Sequence, residues 1–475
     1  MDLQQRYKET KRLLSEHNQL QIFDFWHELD ERQCQKLLSQ IEKLNFEEID
    51  GWVEKFVKNT LPLEVPTNLT PAPVYPAIFA DAQQQVEYDK AKTMGLQLIS
   101  SGKVAAFIVA GGQGTRLGVN DPKGNFPISP IKNKTLFSIF AETVVAAQKK
   151  YNCSLPWYVM TSPMNHARTV EIFKLNDYFG LDKNNIFIFI QGTIPNFDFD
   201  GRILLAAKDE IASSPDGHGG SLKALYESGA VADMRKRDIE IISYFQVDNP
   251  LINIFDPLFI GLHSLAGAQM SSKALTKAEA KEKVGNFCLA DDRVTVIEYS
   301  DLPDELAEKK NPDSTLVFSL GSIAIHIINV DFLEQLNSKG FALPIHRAVK
   351  KIPHLDKNGE SVTPKDANGI KLETFVFDAL PLAEKSIILE TQRSEEFAPT
   401  KNAEGTDSPA VTRQMMIDRA AGWLRSAGID VPIKADGSAD CTIEIAPSFA
   451  IAAEDILAKK DDIPTINPGQ QLYLA

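Results

Sequence analysis

The spacing of hydrophobic residues changes along the chain, and each spacing predicts a different secondary structure. In the first sixty residues, apolar side chains recur every three to four positions, which is the period of an amphipathic helix. Two such sets are Ile22, Phe23, Trp26 and Leu29, and Leu37, Leu38, Ile41 and Leu44. The pattern therefore predicts that the N-terminal region is helical.

A proline-rich segment follows these helices. Five prolines lie between Pro62 and Pro76, and proline is poorly tolerated in helix interiors and in central strands. We therefore expect residues 61–77 to form an extended connector over the surface of the next domain. Residues 80–100 then show a helical pattern, which ends in small residues at Gly102, as is typical of a helix end.

From residue 103, short apolar runs of strand length alternate with helical patterns. This alternation is typical of an α/β domain whose sheet is mostly parallel. The predicted strands are Val104–Ala110, Trp157–Thr161, Ile186–Gln191, Ile239–Val247, Gln269–Lys273, Val294–Tyr299 and Leu316–His326. The predicted helices are residues 135–150, 165–179, 221–236 and 256–266.

The C-terminal region contains one long predicted helix and then a small β-containing segment. Ser408 is suited to cap this helix, with Pro409 in its first position and Gly428 closing it. The chain thus divides into three predicted regions, which are residues 1–100, 101–390 and 391–475.

The charge balance excludes several classes of function. Lysine and arginine number 50, and aspartate and glutamate number 64, so the formal net charge is −14. General nucleic-acid binders and proteins of anionic membranes need an excess of basic residues, so we expect neither partner. Any phosphate ligand must be held by a local group of cations. The contents of hydrophobic residues, 43%, and charged residues, 24%, are typical of a globular protein.

The cysteines and the apolar runs lead to an expectation about the compartment. The four cysteines lie more than a hundred residues apart, so neither a zinc site nor a disulfide framework is predicted. The first residues are polar and lack the apolar core of a secretory signal. The longest apolar runs are too short to span a bilayer. We therefore expect a cytoplasmic protein.

A glycine-rich loop after the first predicted strand is the strongest chemical signal. Val104–Ala110 is followed by Gly-Gly-Gln-Gly-Thr-Arg-Leu-Gly, residues 111–118. Ligands of α/β proteins bind at the carboxyl ends of strands. Glycines there allow a phosphate or a base to approach the backbone, and Arg116 can donate two hydrogen bonds to an anion. A tight turn that carries one surface arginine is the alternative interpretation of this loop alone.

Two common nucleotide-binding motifs do not match the loop. A Walker A loop ends in Gly-Lys-Ser/Thr, and no such triplet follows Gly118. A dinucleotide fingerprint needs a third glycine where Leu117 stands, and it runs directly into a helix. Pro122 and Pro127 do not permit a helix at that point.

Further candidate residues lie at strand ends and turns. Lys123, in a stiff Pro-Lys-Gly turn, is a second cation near the loop. Asp248 follows the predicted strand Ile239–Val247, where a carboxylate can share Mg²⁺ with substrate phosphates. A second glycine-rich turn, Ser213–Gly220, opens a predicted helix, and helix N-termini suit anionic or polar ligands. Each of these features alone is also typical of an ordinary surface turn.

In combination, these segments resemble the UDP-sugar pyrophosphorylases (the UDPGP type 1 family), most closely the eukaryotic-type UDP-N-acetylglucosamine pyrophosphorylases. The shared motifs occur in the same order and extend over nearly the whole chain. They are Gly111–Gly118, Pro122–Gly124, Gln191–Gly192, Val247–Asn249, Val296–Ser300, Gly369–Lys371, Phe375–Asp378, Glu396–Asn402 and Glu444–Ser448.

The resemblance implies a fold and a reaction. The fold is α/β, with a Rossmann-like (GT-A-like) nucleotidyltransferase domain at 101–390, a helical N-terminal part and a small C-terminal α+β domain. The reaction is transfer of a uridylyl group from UTP to a sugar 1-phosphate, which releases pyrophosphate and uses Mg²⁺. The sequence leaves the oligomeric state open.

The resemblance also implies roles for individual residues. The nucleotide and its uracil would be held by Val109, Ala110, Gly111, Gly112, Gln191, Gly217 and Lys371. The catalytic cations would be Arg116 and Lys123 at the β- and γ-phosphates, and Lys401 at the attacking phosphate. Asp248 would face the nucleotide and bind the metal, while Glu298 and Tyr299 would contact the sugar.

These residue types suit the reaction. The attacking phosphate oxygen is already anionic, so the reaction needs no general base. It needs cations that screen charge repulsion, align the attack and neutralise the leaving pyrophosphate. The lack of a Ser-His-Asp or Cys-His arrangement is consistent with this chemistry.

Two motifs depart from the pattern of the acetylhexosamine enzymes. His218 replaces the asparagine of their Pro-x-Gly-Asn-Gly-Gly loop and matches the loop of UDP-glucose pyrophosphorylases. Where they have Asn-x-Gly-Asn-Ile-Ala, this chain has Ser319–Ala324, with serines at positions 319 and 322. His218 and Ser322 are candidate substrate-binding residues. Gly220, the Val-Asp-Asn strand end and the lack of C-terminal β-helix repeats favour N-acetylglucosamine 1-phosphate over glucose 1-phosphate, with N-acetylgalactosamine 1-phosphate as a candidate co-substrate.

Two other functional classes remain as alternatives. A catalytically idle nucleotide-sugar sensor could use the same fold, although a sensor has no need to keep Arg116, Lys123, Asp248 and Lys401. An NAD-dependent dehydrogenase is disfavoured by Leu117 and by the Pro-Lys-Gly segment.

Overall fold

The computed structural model describes residues 2–59, 66, 68–338, 340–341 and 343–475. Contacts divide these residues into two units. The first unit consists of the described residues of Met1–Glu64, Gly192–Ser221 and Leu343–Val376. The second consists of those of Val65–Gln191, Leu222–Ala342 and Phe377–Ala475. This grouping follows contacts and not sequence order, so the division at residues 100 and 390 stays a prediction.

Helices and strands alternate along the described chain. The α-helices are α1 (Leu3–Glu16), α2 (Glu31–Ile41), α3 (Phe46–Trp52), α4 (Ala82–Ser100), α5 (Leu136–Tyr151), α6 (His166–Leu175), α7 (Gly220–Glu227), α8 (Ala230–Lys236), α9 (Pro257–Leu265), α10 (Asp304–Ala307), α11 (Val330–Asn337), α12 (Arg393–Glu396), α13 (Pro409–Ser426) and α14 (Ala453–Leu457). In the part of the chain that the structure describes, none of the helices is both long and apolar enough to cross a membrane.

The strands are mostly short. They are β1 (Thr70–Pro71), β2 (Val104–Val109), β3 (Trp157–Thr161), β4 (Ile186–Ile190), β5 (Thr193–Pro195), β6 (Leu205–Ala207), β7 (Glu210–Ile211), β8 (Ser213–Pro215), β9 (Ile241–Gln246), β10 (Met270–Thr276), β11 (Gly285–Ala290), β12 (Arg293–Ile297), β13 (Leu320–Asn329), β14 (His346–Lys350), β15 (His354–Leu355), β16 (Ser361–Val362), β17 (Gly369–Glu373), β18 (Ile388–Glu390), β19 (Thr442–Ile445) and β20 (Gln471–Leu474).

A mixed sheet of ten of the described strands forms the centre of the second unit. From one edge, β4, β3, β2 and β9 are parallel neighbours. Strand β13 pairs antiparallel with β9, β10 and β11, and β18 runs parallel to β10. Every residue of β2 and β3 is buried, as expected for parallel strands covered on both faces. The predicted α/β class with a Rossmann-like parallel core is confirmed.

The register of this parallel core is marked by aromatic residues. Phe107 of β2 lies opposite Tyr158 of β3 and Tyr244 of β9. Its ring is 5.4 Å from the Tyr244 ring, edge to face, and 5.9 Å from the Phe189 ring. A shift of one residue would turn each of these large side chains to the opposite face of the sheet, so their packing fixes the pairing of the strands.

Several predicted elements of this unit are present with different ends. The predicted helix 221–236 is divided into α7 and α8 by Gly229, whose φ of +83° interrupts the helical backbone. The predicted strand Leu316–His326 begins later, at Leu320, and continues to Asn329. The predicted helix 165–179 ends at Leu175. Two aromatic residues after it have positive φ, and Phe179 packs edge to face on Phe173.

Helices α4 and α9 lie unusually close together because each has a glycine at their contact. A β-carbon on Gly95 would lie 1.9 Å from the carbonyl oxygen of Pro257. A β-carbon on Gly261 would lie 1.7 Å from the carbonyl oxygen of Ala91. The two helix backbones therefore touch without intervening side chains.

The N-terminal helices pack within the first unit on the segments around β5, β6 and β17. Gln19, 3% exposed, joins the two parts of this core. Its side-chain amide donates to the carbonyl of Gly201 at 2.9 Å and accepts from the amide of Ile203 at 2.9 Å. The short antiparallel pairs of this unit are β5 with β8, β6 with β7, β14 with β17 and β15 with β16.

The predicted helix that contains Ile22 and Leu29 is wrong. The chain there forms two short 3₁₀ turns, Leu20–Phe23 and Trp26–Glu28. The Trp26 ring stacks on Tyr7 of α1 at 4.6 Å, so tertiary packing buries these apolar residues without a continuous helix. Helix α2 is confirmed, and Leu44 lies beyond its end.

The predicted connector 61–77 lies partly outside the described residues, at 61–65 and 67. Its described part is extended along the sheet of the second unit. Thr70 and Pro71 pair with Leu289 and Cys288 of β11. The amide of Tyr75 donates to the carbonyl of Ile388 at 2.9 Å.

The predicted C-terminal helix and its β-containing segment are confirmed. The Ser408 hydroxyl accepts from the amide of Val411, Pro409 is the first residue of α13, and Gly428 has a φ of +74° after its end. Strands β19 and β20 are parallel neighbours. They share an apolar cluster with α13 that includes Leu424 and Ile443.

We expect Gly95→Ala and Gly261→Ala each to lower the free energy of unfolding by about 1–3 kcal/mol, because the added methyl group forces α4 and α9 apart. Chemical denaturation monitored by circular dichroism measures this change. Gly422→Ala is the matched control, since a β-carbon on Gly422 would have no atom within 4 Å apart from its chain neighbours and the backbone of α13 itself. Removing a helical glycine there should stabilise by about 0.5–1 kcal/mol. Equal changes in the free energy of unfolding in the three variants would contradict the close contact of α4 with α9.

Candidate functional site

The glycine-rich loop begins where β2 ends, and a buried asparagine fixes its first residues. Asn165 is fully buried, and its side-chain amide donates to the carbonyl of Ala110 at 2.9 Å and to that of Gly112 at 3.3 Å. Its side-chain oxygen accepts from the amide of Ser162 at 2.8 Å. Asn165 therefore joins the ends of β2 and β3. Asn165 was not predicted as a site residue, although its place shortly after a predicted strand was a signal.

The loop folds back so that Lys123 lies on it. The amide of Lys123 donates to the carbonyl of Gly112 at 3.1 Å, and the amide of Gly114 donates to the carbonyl of Asp121 at 2.9 Å. Arg116, with an exposed side chain, lies in the 3₁₀ turn Thr115–Leu117. The structure thus brings the two predicted cations of this segment into one folded loop.

Gln191, at the end of β4, lies beside the same loop. It is 7% exposed, and its side-chain oxygen is 3.0 Å from the position that a β-carbon on Gly111 would occupy. A side chain at residue 111 would therefore push against Gln191. The predicted group Val109, Ala110, Gly111, Gly112 and Gln191 is contiguous, and its role in holding a nucleotide stays a prediction.

Asp248 lies at the same edge of the sheet as the loop. The amide of Val247, just after β9, donates to the carbonyl of Val109 at 3.1 Å, so the ends of β2 and β9 are adjacent. The Asp248 carboxylate is 3.9 Å from the Lys123 ammonium, and each side chain is 16% exposed. An ion pair with this exposure stays within reach of a ligand.

Lys401 lies on a loop that is bonded to the Asp248 segment. The amide of Thr400 donates to the carbonyl of Asp248 at 2.8 Å. The Thr400 hydroxyl, fully buried, donates to the Thr412 hydroxyl at 3.0 Å and so connects the loop to α13. The Lys401 ammonium is 5.7 Å from the centre of the Phe397 ring.

A carboxylate that the sequence analysis missed lies near Lys401. The carbonyl of Asp407 accepts from the amide of Lys401 at 2.7 Å. Burial raises the pKa of the Asp407 carboxyl, the Lys401 charge lowers it, and the Asp248 charge raises it, with a net rise. These couplings place Asp248, Lys401 and Asp407 in one electrostatic neighbourhood. No motif in the sequence marked Asp407.

The predicted sugar-contacting residues gather around another glycine. Gly285 of β11 pairs with Ser322 of β13, and residues directly opposite in an antiparallel pair share a face. A β-carbon on Gly285 would lie 3.7 Å from Ser322 Cβ and 3.8 Å from a Glu298 carboxylate oxygen. Tyr299, the next residue, is 46% exposed. The nearest atom to that β-carbon would be Val296 Cγ1 at 2.5 Å, so Val296 fills the space at residue 285 beside Ser322 and Glu298.

Gly217 and His218 belong to the first unit. Gly217 has a φ of +85°, and a β-carbon on it would lie 2.2 Å from the carbonyl oxygen of Thr374, so only glycine fits. The amide of Val376 donates to His218 Nδ1 at 3.0 Å, which places the proton of the neutral ring on Nε2. The His218 ring stacks on Phe375 at 5.2 Å.

Lys371 lies in β17 of the same unit, opposite Ala348 of β14. It precedes Glu373 by two positions, so the two side chains share a face of the strand. Glu373 Cβ lies 3.0 Å from the position that a β-carbon on Gly217 would take. Lys371 therefore lies on the strand that packs against the glycine turn.

The oxygen ligands at the Asp248 edge suit a metal ion only if a substrate supplies further ligands. Among the described residues, no cluster of three or more His, Cys, Asp or Glu side chains could hold a metal ion alone. Asp248 offers one half-buried carboxylate beside Lys123. Mg²⁺ commonly binds one or two carboxylates together with substrate phosphates and water. The site therefore fits Mg²⁺ that enters with a nucleotide.

Comparison with known proteins adds independent evidence. Residues 76–467 match the family model described as UTP--glucose-1-phosphate uridylyltransferase. The UDP-N-acetylglucosamine pyrophosphorylase of Saccharomyces cerevisiae is 35% identical over 94% of this chain and 96% of its own. The UDP-N-acetylhexosamine pyrophosphorylase-like protein 1 of Xenopus tropicalis is 35% identical over 88% of this chain and 84% of its own.

Solved structures agree with this likeness. The putative UDP-N-acetylglucosamine pyrophosphorylase of Entamoeba histolytica superposes with a TM-score of 0.74 at 31% identity, covering 86% of this chain and 100% of its own. The UDP-N-acetylglucosamine pyrophosphorylase of Trypanosoma brucei, solved with an inhibitor, gives 0.81 at 23% identity over 100% and 98% of the two chains. At that identity the second likeness supports the fold alone.

We expect His218→Asn to weaken the loss of stability on acidification. Burial, and then the neighbouring His346, lowers the pKa of His218 to about 4 in the folded protein, against about 6.5 when unfolded. As the pH falls below 6.5 the unfolded chain binds the proton first, so stability is lost between pH 6.5 and 4. By pH 5 this contribution is on the order of 2 kcal/mol.

Urea denaturation at pH 7 and pH 5 measures this effect. His27→Asn, at an exposed position, is the control and should keep the pH dependence of the parent. If the free energy of unfolding changed between pH 7 and pH 5 as much in His218→Asn as in the parent, His218 would already bind its proton at pH 5.

Proposed function

Because the chain belongs to the UTP--glucose-1-phosphate uridylyltransferase (UDPGP) family, we propose that it transfers the uridylyl group of UTP to N-acetylglucosamine 1-phosphate. The products are UDP-N-acetylglucosamine and pyrophosphate. The relatives from yeast, Dictyostelium discoideum and Arabidopsis thaliana that are named for this sugar span 90% or more of their own lengths in the match. Their names support the choice of N-acetylglucosamine 1-phosphate.

The observation that carries the proposal is the ion pair beside the glycine-rich loop. Lys123 and Asp248 are 3.9 Å apart at an edge where β2 and β9 both end. A loop of glycines, a cation and a carboxylate at the carboxyl edge of a parallel sheet suit a nucleoside triphosphate. Gln191 beside Gly111 adds an amide that can pair with the edge of a uracil.

Residues of the second unit supply the charges that the reaction needs. A nonbridging oxygen of the sugar phosphate forms a bond to the α-phosphorus of UTP, and the bond to the bridging oxygen of pyrophosphate breaks. Arg116 and Lys123 neutralise the departing pyrophosphate, and Lys401 binds the attacking phosphate. No proton needs to move, so electrostatic stabilisation and alignment account for the catalysis.

Mg²⁺ is the proposed cofactor, with Asp248 as its protein ligand. When bound, the ion neutralises phosphate charge and holds the triphosphate in position. Asp248 is suited to this task because the end of β9 fixes its backbone and its carbonyl accepts from Thr400 at 2.8 Å. A single carboxylate would suit an ion that is held mainly by the substrate phosphates.

The choice of an acetylated sugar rests on the named relatives and not on free space at Gly285. A β-carbon there would lie 2.5 Å from Val296 Cγ1, while Ser322 and Glu298 lie nearby with side chains that can form hydrogen bonds. Glucose 1-phosphate is the alternative substrate, favoured by His218 and by the description of the family model. A nucleotide-sugar sensor without turnover is the other alternative.

Pyrophosphate release by the purified protein tests the proposal. The assay contains UTP and Mg²⁺ with one of three sugar 1-phosphates, those of N-acetylglucosamine, N-acetylgalactosamine and glucose. We expect kcat/KM for N-acetylglucosamine 1-phosphate to exceed that for glucose 1-phosphate by at least about tenfold. Addition of EDTA in excess over Mg²⁺ should abolish release.

Each other outcome of this assay selects an alternative. A preference for glucose 1-phosphate would overturn the acetylated substrate and would point to His218 and Ser322 as the residues that set the choice. Measurable UTP binding without pyrophosphate release in the presence of any of the three sugar 1-phosphates would favour the sensor. Activity that persists in EDTA would contradict the role of Mg²⁺.

We expect Lys123→Ala and Lys401→Ala each to lower kcat by about 10²–10³-fold, because each removes one charge that stabilises the transition state. Steady-state rates of pyrophosphate release measure the loss. Lys92→Ala, an exposed lysine on α4, is the matched control and should keep the kcat of the parent. If Lys123→Ala and Lys401→Ala both kept near-parental turnover, the assignment of these cations would fall.

A further inference from the structure

Lys273 is a buried cation that takes no part in the proposed reaction. It lies in β10 and is 2% exposed. Its ammonium is 2.6 Å from a carboxylate oxygen of Asp256 and 2.5 Å and 2.6 Å from the two carboxylate oxygens of Glu396. A buried lysine is stable only when opposite charges and hydrogen bonds compensate its desolvation. Here two carboxylates supply them.

Glu396 connects this cation to the segment after Asp248. Besides Lys273, its carboxylate accepts from the amide of Asn253 at 3.2 Å and from the Thr391 hydroxyl at 2.7 Å. Its backbone carbonyl accepts from the side-chain amide of Asn249 at 2.6 Å. One glutamate thus holds both ends of residues 249–253.

Asn249 continues the connection to the Lys401 loop. Its side-chain oxygen accepts from the amide of Ala398 at 3.0 Å. One residue before it, the carbonyl of Asp248 accepts from the amide of Thr400 at 2.8 Å. These two hydrogen bonds therefore join the segment that begins at Asp248 to the loop that ends at Lys401.

A second cation joins the same two segments from another element. The guanidinium of Arg419, in α13, donates to the carbonyl of Leu251 at 2.6 Å and to that of Glu395 at 3.2 Å. It also lies 4.8 Å from the centre of the Trp423 ring. Lys273 of β10 and Arg419 of α13 thus both hold the junction, which is the contact between residues 249–253 and residues 395–401.

We propose that Lys273 and Glu396 are positioning residues that set the place of Lys401 against Asp248. The proposal rests on the proposed function. Strand β9 already fixes Asp248 through its pairing with β2, whereas the Lys401 loop belongs to none of the described strands. Glu396 and Asn249 hold the start of this loop, and Thr412 and Asp407 contact its end. Displacement of a catalytic group by about 1 Å can lower a rate by about a hundredfold, so this junction bears directly on kcat.

Glu396→Gln is the informative substitution. It keeps the shape of the side chain and leaves Lys273 paired with Asp256, so no buried lysine is left without a counter-charge. We expect kcat for pyrophosphate release to fall by roughly 10–100-fold. The KM for UTP should change little, because the loop at 111–118 makes none of the contacts that Glu396 makes.

Asp233→Asn is the matched control for a general loss of stability. The Asp233 carboxylate accepts from the Tyr158 hydroxyl at 2.8 Å and from Arg237 at 2.7 Å. Removing that charge weakens the fold of the second unit and leaves residues 248–253 and 396–401 intact. We expect its kcat, measured per folded molecule, to equal that of the parent. An equal fall of kcat in Asp233→Asn and Glu396→Gln would overturn the positioning role of Glu396.

A double-mutant cycle with Lys401→Ala decides whether Glu396 acts through Lys401. If it does, adding Glu396→Gln to Lys401→Ala should lower kcat by no more than about threefold further. A multiplicative loss would mean that Glu396 acts elsewhere and would overturn the proposal.

Hydrogen exchange gives a readout that does not depend on activity. In Glu396→Gln the amides of Ala398 and Thr400 should exchange faster, while those of β2 and β3 should not. Unchanged exchange at 398 and 400 would overturn the proposal even if kcat fell. A parent protein that binds UTP but releases no pyrophosphate would overturn the proposed function, and exchange would still decide whether Glu396 holds the loop.

Discussion

The parallel pairing of β2 with β9 is the constraint on which the candidate site depends. Because both strands end at the same edge, the glycine-rich loop after Val109 and the carboxylate of Asp248 lie side by side, although about 135 residues separate them in the sequence. Their register is held by large buried side chains such as Phe107 and Tyr244, which cannot change faces without opening the core. The remaining parts of the site are placed relative to this edge. Lys123 is folded onto it by the bond from its amide to Gly112, and the Lys401 loop is bonded to it through Thr400.

Much of this arrangement could be predicted from local sequence. The strands Val104–Val109 and Trp157–Thr161 are short apolar runs that no helix pattern explains. The start of α13 follows from Ser408 and Pro409, and its end from Gly428. Prediction from local pattern failed where tertiary packing determines the secondary structure. The residues around Trp26 have helical spacing, but they are buried by contacts with α1 and form 3₁₀ turns.

The supporting contacts of the site could not be predicted from the sequence for a related reason. Asn165, Lys273 and Glu396 contact partners far away in the sequence. Neither the place of Asn165 after a predicted strand nor the motif that contains Glu396 indicates those partners. Lys273 in particular stands in a run whose spacing predicts only a strand. That its ammonium lies between Asp256 and Glu396 follows from the pairing of β10 with β18 and from the position of α9, which are known only once the chain is folded.

The charges explain how a chain with a net charge of −14 can accept a triphosphate. Lys123 lies 3.9 Å from Asp248, and Lys401 shares its neighbourhood with Asp407, whose pKa is raised by burial and by Asp248. These carboxylates offset part of the charge of the two lysines, so the fold does not have to hold a group of unbalanced cations. In the proposed reaction, Lys123 would turn from Asp248 to phosphate oxygens and Asp248 would hold the metal ion. The ion pair would thus keep both groups beside the glycine-rich loop, within 4 Å of each other, at a bearable electrostatic cost.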